Sequence, residues 1–157
     1  MIRPLQKNDV NTAATIHAEA FSRQKNSAQW LACALYAYPR SLCYVIEVNN
    51  KIVGYIIWAQ KSGFRHDTVL ELEQIAVLKN WQNKGLGQSL IEQSLLQIKA
   101  QLALNDAWVK TILVSTRADN HAQQWYRKVL GAEVEATISG LYSADEVLMI
   151  ARDIWSL

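Results

Sequence analysis

A polar loop between a predicted strand and a long predicted helix most constrains the fold of this chain. The strand covers residues 68–78, and after a loop with two glycines the helix runs over about 85–104 with an apolar stripe at helical spacing. The first N–H groups of a helix lack intrahelical partners and carry partial positive charge, and glycines let a ligand approach the backbone closely. The segment therefore predicts a pyrophosphate-binding site, and Lys79 and Lys84 add positive charge.

Two common phosphate-binding motifs do not fit this loop. No Gly-Lys-Ser or Gly-Lys-Thr follows, as a P-loop requires, and Leu90 stands where a dinucleotide fingerprint has its third glycine. Gly85 and Gly87 alone are weak evidence, because glycines also occur at ordinary helix N-termini. The rest of the chain must therefore decide which kind of site this is.

The predicted elements follow the order β-α-α-β-β-β-α-β-α-β-β. Asn49-Asn50 indicates a hairpin turn between strands 42–48 and 51–60, and Gly131 suits the end of a helix over 120–130. This order predicts an α/β protein with a mixed central sheet and helices on both faces. The other predicted elements are helices at 10–21, capped by Asn8 or Asp9, and 27–36, and strands at 2–5, 108–116, 134–138 and 146–154.

Length and charge exclude several classes of protein. The 157 residues fit one domain over 1–157, and a net charge of +2 is too small to predict nucleic acid or membrane binding. No apolar run approaches the roughly 20 residues that span a bilayer, and the N-terminus has no signal-peptide core. We therefore expect a cytoplasmic protein. The sequence leaves open whether it forms a homodimer.

The cysteines and histidines show no metal-site spacing, and we expect no bound metal. Cys33 falls in a predicted helix and Cys43 in a predicted strand, where buried reduced thiols are expected. His17 lies on an apolar helix stripe and is expected to be a satisfied core residue. His121 is expected in a solvated first helical turn.

The loop resembles the signature of the GNAT (GCN5-related N-acetyltransferase) superfamily, [QR]xxGx[GA]. It matches Gln82-Asn83-Lys84-Gly85-Leu86-Gly87, and Glu71-Leu72-Glu73-Gln74-Ile75-Ala76-Val77 resembles the strand that precedes it. Ile2-Arg3-Pro4 with Asp9, and Arg117-Ala118-Asp119-Asn120 with Ala122, Trp125, Tyr126 and Gly131, resemble two further family segments. The resemblance covers nearly the whole chain and is weakest in residues 22–40 and 132–157.

The resemblance implies acetyl-CoA as cosubstrate and a sheet whose fourth and fifth strands splay apart. Backbone N–H groups of the loop would hold the CoA pyrophosphate. The free edge of the fourth strand, with Asn120 opposite, would bind the pantetheine arm, and Tyr126 would lie near the sulfur. The implied cofactor-binding residues are Ile75, Ala76, Val77, Gln82, Asn83, Lys84, Gly85, Leu86, Gly87, Gln88, Asn120 and Tyr126.

Transfer to an amine requires a group that helps to deprotonate the amine and an acid that protonates the leaving thiolate. Glu71 and Glu73 lie two apart on a strand, so they share one face roughly 7 Å apart. Regular alternation would place Ile75 and Val77 on that face too, with Gln74 opposite. In the family these two glutamate positions commonly carry groups that deprotonate the acceptor. The alternative is that one or both simply face solvent.

Tyr126 is the candidate acid, although its spacing departs from the family pattern. Counted from Asn120, the family tyrosine position falls on Arg127, and one residue turns a helix by about 100°. If Asp119 takes the place of Asn120, Tyr126 regains its spacing. Tyr126 is preferred because arginine does not donate its proton at useful pH. The alternative is that Tyr126 only packs against the cofactor.

The acceptor remains open at this level. Ser115 stands where the branch that modifies a ribosomal protein N-terminus carries a glutamate base, which lowers the case for that acceptor. Trp30, Tyr36 and Tyr38 lie where the family builds its acceptor pocket, and simple packing is equally consistent with them. Three hypotheses follow: acetylation of a small amine, acetylation of a protein lysine or N-terminus, and a CoA-binding module without turnover.

Overall fold

A seven-stranded mixed sheet forms the centre of the protein in a computed structural model that describes residues 1–152 and 154. Its strand order is β1-β2-β3-β4-β5-β7-β6, in which β4 and β5 pair in parallel and all other neighbours pair antiparallel. The predicted mixed sheet is thus confirmed. The strands are β1 Ile2–Pro4, β2 Ser41–Val48, β3 Lys51–Gln60, β4 Asp67–Val77, β5 Trp108–Arg117, β6 Glu133–Ile138 and β7 Glu146–Ala151; the helices are α1 Val10–Ala20, α2 Ser27–Tyr36, α3 Leu86–Ala103 and α4 Ala122–Leu130.

Helices cover both faces of the sheet, as predicted. We call the side of α1 and α2 the acceptor face and the side of α3 and α4 the helix-3 face. Ile16 and Leu31 pack with Tyr55 on the acceptor face. The helix-3 face holds the larger apolar cluster, built on the predicted stripe of α3. Burial of each such side chain contributes about 1.5–3 kcal/mol, and the fully buried members of that stripe are Leu90, Ile91, Leu95 and Ile98.

A β-bulge at Glu73 interrupts the regular alternation of β4. Gln74 pairs with Ile57 of β3, but Leu72 pairs with the next residue, Trp58, so Glu73 is the extra residue. Leu72 belongs to the apolar cluster of the helix-3 face, whereas Gln74 contacts residues of the acceptor face. The prediction of uninterrupted alternation was therefore wrong.

The parallel pair β4–β5 opens partway along its length. Pairing runs from Asp67 with Trp108 to Glu71 with Leu113 and goes no further, although both strands continue. The edge of β4 that faces β5 is therefore free beyond the bulge. This is the predicted splay of the fourth and fifth strands.

Several local predictions needed correction. The last strand ends at Ala151 rather than at residue 154, and residue 153 lies outside the described residues. Cys33 is exposed rather than buried, because it lines a cavity, described below, that opens to solvent. Asp9 accepts from the backbone N–H of Gln6 at 2.8 Å and binds Arg3, so it caps a 3-10 turn before α1 instead of α1 itself.

No helix in the part of the chain that the structure describes is long and apolar enough to cross a membrane.

Candidate active site

The loop between β4 and α3 presents a row of free backbone donors. Among the described residues, no hydrogen-bond acceptor faces any of the six N–H groups of residues 83–88, and the first helical bond runs from the N–H of Ser89 to the carbonyl of Gly85. Asn83 and Gly85 have φ values of 59° and 77°, which turn the loop so that successive N–H groups converge. This row can bind a phosphate group at the positive end of α3.

Side chains brace this loop from below. The amide nitrogen of Gln82 donates to the carbonyl of Val77 at 2.9 Å and so ties the loop back to the end of β4. The backbone N–H of Lys79 donates to Glu19 of α1 at 3.1 Å. Gly87 lies beneath Trp125 of α4, where an added Cβ would sit 3.2 Å from the indole ring. The loop is therefore held at both ends and has little room for a side chain at Gly87.

The predicted pantetheine-binding segment lies at the open edge of β4. Ile75, Ala76 and Val77 pair with β3 on one side, and on the other side β5 has already diverged. Strand edges of this kind can accept an extended ligand as an added strand. Ile75 and Val77 pack toward the helix-3 face, opposite to the carboxylates of the same strand.

Glu71 and Glu73 both line a cavity of about 230 Å³ beneath α2 on the acceptor face. Glu71 is paired with Lys61 at 2.8 Å. Burial, together with the neighbouring charge of Glu71, raises the pKa of Glu73 above its ordinary value, and Lys61 and Arg40 oppose that shift. A carboxylate with a raised pKa is a stronger base than an ordinary one, and because the Glu73 side chain remains exposed it can exchange its proton with water.

Tyr126 is buried in the cluster of the helix-3 face, with 8% of its surface exposed. Burial raises its pKa to about 12, so the phenol stays protonated at neutral pH. Its hydroxyl has no hydrogen-bond partner among the described residues, and no fully buried side-chain N or O atom there lacks one. The hydroxyl therefore keeps access to the surface and is free to donate.

Arg127, the competing residue, points elsewhere. Its guanidinium pairs with Glu133 of β6 at 3.1 Å, and its side chain is 44% exposed. Asp119 is held by Arg117, with oxygen–nitrogen distances of 3.0 and 3.1 Å. The Asn120 side-chain oxygen accepts from the first turn of α4, at the N–H of Ala122, at 2.9 Å. Only the amide nitrogen of Asn120 thus remains free for a ligand.

Sequence reasoning missed a buried polar network around Gln74. The side-chain oxygen of Gln74 accepts from the indole N–H of Trp30 at 3.0 Å and from the hydroxyl of Tyr55 at 3.1 Å. Its amide nitrogen donates to Gln24 at 3.1 Å, and Gln24 also contacts His17 at 2.9 Å. The network ties α1, α2 and their connection to the bulge of β4. A glutamine within an apolar strand was the available signal.

His17 is fully buried, and both ring nitrogens have partners, at Ser27 and Gln24. The prediction of a satisfied core histidine is confirmed. Of the three predicted acceptor-side aromatics, Trp30 lines the cavity with the two glutamates. Tyr36 and Tyr38 are exposed, and the Tyr38 hydroxyl accepts from Gln101.

A larger open cavity of about 410 Å³ lies near the C-terminal end of α3, lined in part by Phe64, His66 and Gln101. It contains none of the predicted site residues, whereas Glu71 and Glu73 line the smaller cavity. Among residues 1–152 and 154, no group of three or more His, Cys, Asp or Glu side chains is placed to hold a metal ion.

Comparison with solved structures supports this architecture. The GNAT-family protein from Desulfovibrio desulfuricans has a TM-score of 0.76 at 15% identity, covering 97% of this chain and 98% of that one. A ribosomal-protein-alanine N-acetyltransferase from Brucella melitensis gives 0.74 at 19%, covering 97% and 99%. An aminoglycoside 6'-N-acetyltransferase complexed with coenzyme A gives 0.75 at 12%, covering 97% and 96%. At these identities the likeness shows the fold alone.

Sequence comparison gives the family. No curated protein sequence matches the chain significantly. The sequence model described as acetyltransferase (GNAT) domain, however, matches residues 39–129, more than half of the chain and the stretch that holds the loop and both glutamates. With its splayed sheet and its row of free loop donors, the chain therefore belongs to the GNAT family of acetyltransferases.

Proposed function

We propose that this acetyltransferase, as one domain over residues 1–157, moves an acetyl group from acetyl-CoA to the amine of a small molecule. The observation that carries the proposal is the small cavity beneath α2, where Glu71 and Glu73 face the acceptor side of the splay. A cavity of about 230 Å³ has room for a compact amine, whereas a peptide acceptor needs a longer groove.

The opposite side of the splay suits the cosubstrate. The N–H groups of residues 83–88 would hold the pyrophosphate, and the edge of β4 at residues 75–77 would pair with the pantetheine arm. The amide nitrogen of Asn120 is free to bond the same arm. Bound acetyl-CoA supplies the activated acetyl thioester, whose carbonyl carbon accepts the amine.

In the proposed mechanism the two titratable candidates act from opposite faces of the sheet. Glu73, assisted by Glu71 and water, accepts a proton from the acceptor ammonium, and the free amine forms the C–N bond. As the C–S bond breaks, the Tyr126 hydroxyl gives its proton to the departing thiolate. The nitrogen is positively charged once the C–N bond has formed, and it loses its second proton to solvent to give the neutral amide. The phenolate regains a proton from solvent, and Glu73 returns its own to solvent. No covalent enzyme intermediate is needed.

The proposal is tested by measuring acetyl-CoA binding and then free-thiol release over a panel of amines. The panel contains small amines, amino acids, lysine peptides and peptides with free N-termini. Turnover with small amines supports the proposal. Turnover with peptides alone would establish a protein acetyltransferase, and binding without any turnover would indicate a CoA-binding module. Either of these two results overturns it.

A further inference from the structure

The cavity beneath α2 is made by small side chains on both walls. Ser41, Ala59 and Glu71 lie side by side across β2, β3 and β4 and form its floor. The roof comes from α2 and the residue after it, with Trp30 at one end and small residues elsewhere: Cys33, Ala34 and Ala37. Larger residues at these positions would fill the space, so the cavity follows directly from side-chain size.

The charges of the cavity are not all neutralised within the protein. Lys61 and Glu71 form an ion pair at 2.8 Å and compensate each other. Glu73 and Arg40 also line the cavity, but within the described residues neither side chain forms an ion pair or a hydrogen bond. The cavity therefore offers one free carboxylate and one free guanidinium to a ligand.

From this arrangement we propose that the acceptor is a small amine that also carries a carboxylate, such as an amino acid. The inference rests on the proposed function and names its substrate class. The ammonium of the acceptor binds at Glu73, and its carboxylate binds the planar N–H fork of Arg40, which matches a carboxylate with two hydrogen bonds. A phosphate in the same place would meet stronger repulsion from Glu71 and Glu73.

Trp30 supports the same occupant. Its indole N–H donates to Gln74 at 3.0 Å, which fixes the ring as a wall of the cavity. An aromatic face attracts an ammonium ion, so the amine of the acceptor is held between this ring and Glu73. The carboxylate then lies on the side of Arg40, at the start of β2.

The experiment compares L-amino acids with their carboxamides, which keep the shape and lose the negative charge. Free-thiol release gives kcat/KM for each pair. We expect the acids to be preferred at least tenfold, even though the amide's less basic amine is the more readily deprotonated of the two. Arg40→Ala should raise KM for the acids at least tenfold and leave the amides within about twofold, or about 0.4 kcal/mol. Arg40→Lys should restore part of the loss.

Three further variants test whether this result is specific to Arg40 and to the cavity. Arg65→Ala removes an arginine outside the cavity, whose side chain bonds the carbonyl of Ser62, and should change neither series. Ala37→Leu, just after α2, narrows the cavity and should weaken acids and amides alike at unchanged acetyl-CoA affinity. Ala28→Leu, at an exposed position of α2 outside the cavity, should not.

Equal rates for acids and amides, or an equal effect of Arg40→Ala on both, would overturn the inference. Turnover of uncharged or polycationic small amines without amino acids would overturn it as well, while leaving the proposed small-molecule acetylation intact. If no amine in the panel reacts although acetyl-CoA binds, the proposed function itself fails.

Discussion

The loop at residues 83–88 and the cavity beneath α2 are built from different parts of the chain. The loop offers backbone N–H groups from six consecutive residues, and the identity of most side chains there matters little. The cavity offers side chains from α2, β2, β3 and β4, which are far apart in sequence. A site for a constant ligand can thus use the backbone, whereas a site that selects its ligand depends on side chains. Changes in the two regions should separate cosubstrate affinity from turnover.

The largest effect is expected at Tyr126. In the proposed mechanism this side chain acts on the acetyl-CoA side of the site, where the other proposed contacts come mainly from the backbone. Tyr126→Phe removes one hydroxyl and almost no volume, so turnover should fall roughly 10- to 100-fold as protonation of the thiolate is lost. Acetyl-CoA affinity should barely change, because the interaction matters mainly in the transition state. Single-turnover rates are the measurement, since slow product release can hide a slower chemical step.

Arg127→Ala is the matched control on the same helix. It removes an exposed ion pair with Glu133 and should cost fold stability or cofactor affinity more than the chemical step. A Tyr126→Phe enzyme with normal single-turnover rates, beside an Arg127→Ala enzyme that binds CoA but does not react, would reverse the two roles.

Gly87→Val should weaken acetyl-CoA binding at least tenfold, or about 1.4 kcal/mol. The new side chain would press on the indole of Trp125 and crowd the pyrophosphate beside the loop donors. Titration of the folded variant with acetyl-CoA measures the effect. Ala103→Val adds a β-branched side chain at the exposed far end of the same helix, away from the loop, and should bind normally. Normal binding by Gly87→Val would place the pyrophosphate elsewhere.

Replacing Glu71 and Glu73 together by glutamine should lower turnover without changing acetyl-CoA affinity. The loss should be only about tenfold, because water still relays part of the proton transfer. The loss should be greatest near the acidic end of a profile from about pH 6 to about pH 9, where the amine is mostly protonated and a base is needed most. Glu135→Gln, an exposed carboxylate on β6, is the control. Unchanged rates across this range would leave both glutamates as surface charges.

The smallest effect is expected on stability. Because the folded protein raises the pKa of Glu73, it binds the proton more tightly than the unfolded chain, so stability falls as pH rises through the window above the ordinary value of 4.5. Because solvent screens this exposed carboxylate, Glu73→Gln should gain only a few tenths of a kcal/mol at neutral pH, and the gain should vanish below that window. Urea unfolding of both proteins at neutral pH and at a pH below 4.5 measures this difference in stability. A loss of stability at neutral pH would contradict the raised pKa of Glu73 in the folded protein.

Periodicity and turn chemistry were sufficient to predict most elements of this fold. The stripe of α3, the Asn49-Asn50 turn and Gly131 at the end of α4 all depend on neighbours within a few residues. The bulge at Glu73 could not be predicted in this way, because it depends on how β4 aligns with β3. One extra residue reversed the predicted faces of Gln74, Ile75 and all that follows in the strand.

The candidate site also contains one part that depends on local sequence and another that depends on tertiary packing. The loop at residues 82–87 is a local motif and could be recognised from its six letters. Arg40 and the Gln74 network carry no motif, because their partners come from other strands and helices. The burial of Tyr126 and the ion pair of Arg127 with Glu133 likewise depend on tertiary packing, which no local motif encodes.

Because Glu73 is the extra residue of the bulge, it stands outside the alternation of side chains between the two faces of β4. Leu72 packs on the helix-3 face, Glu73 and Gln74 both point to the acceptor face, and Ile75 packs on the helix-3 face again. If Glu73 were deleted, each remaining side chain would still alternate correctly onto its own face. The loss of a single codon should thus leave a folded, straighter strand and remove the carboxylate from the cavity. One residue gained or lost in β4 thus separates a strand that places this carboxylate in the cavity from a regular strand that does not.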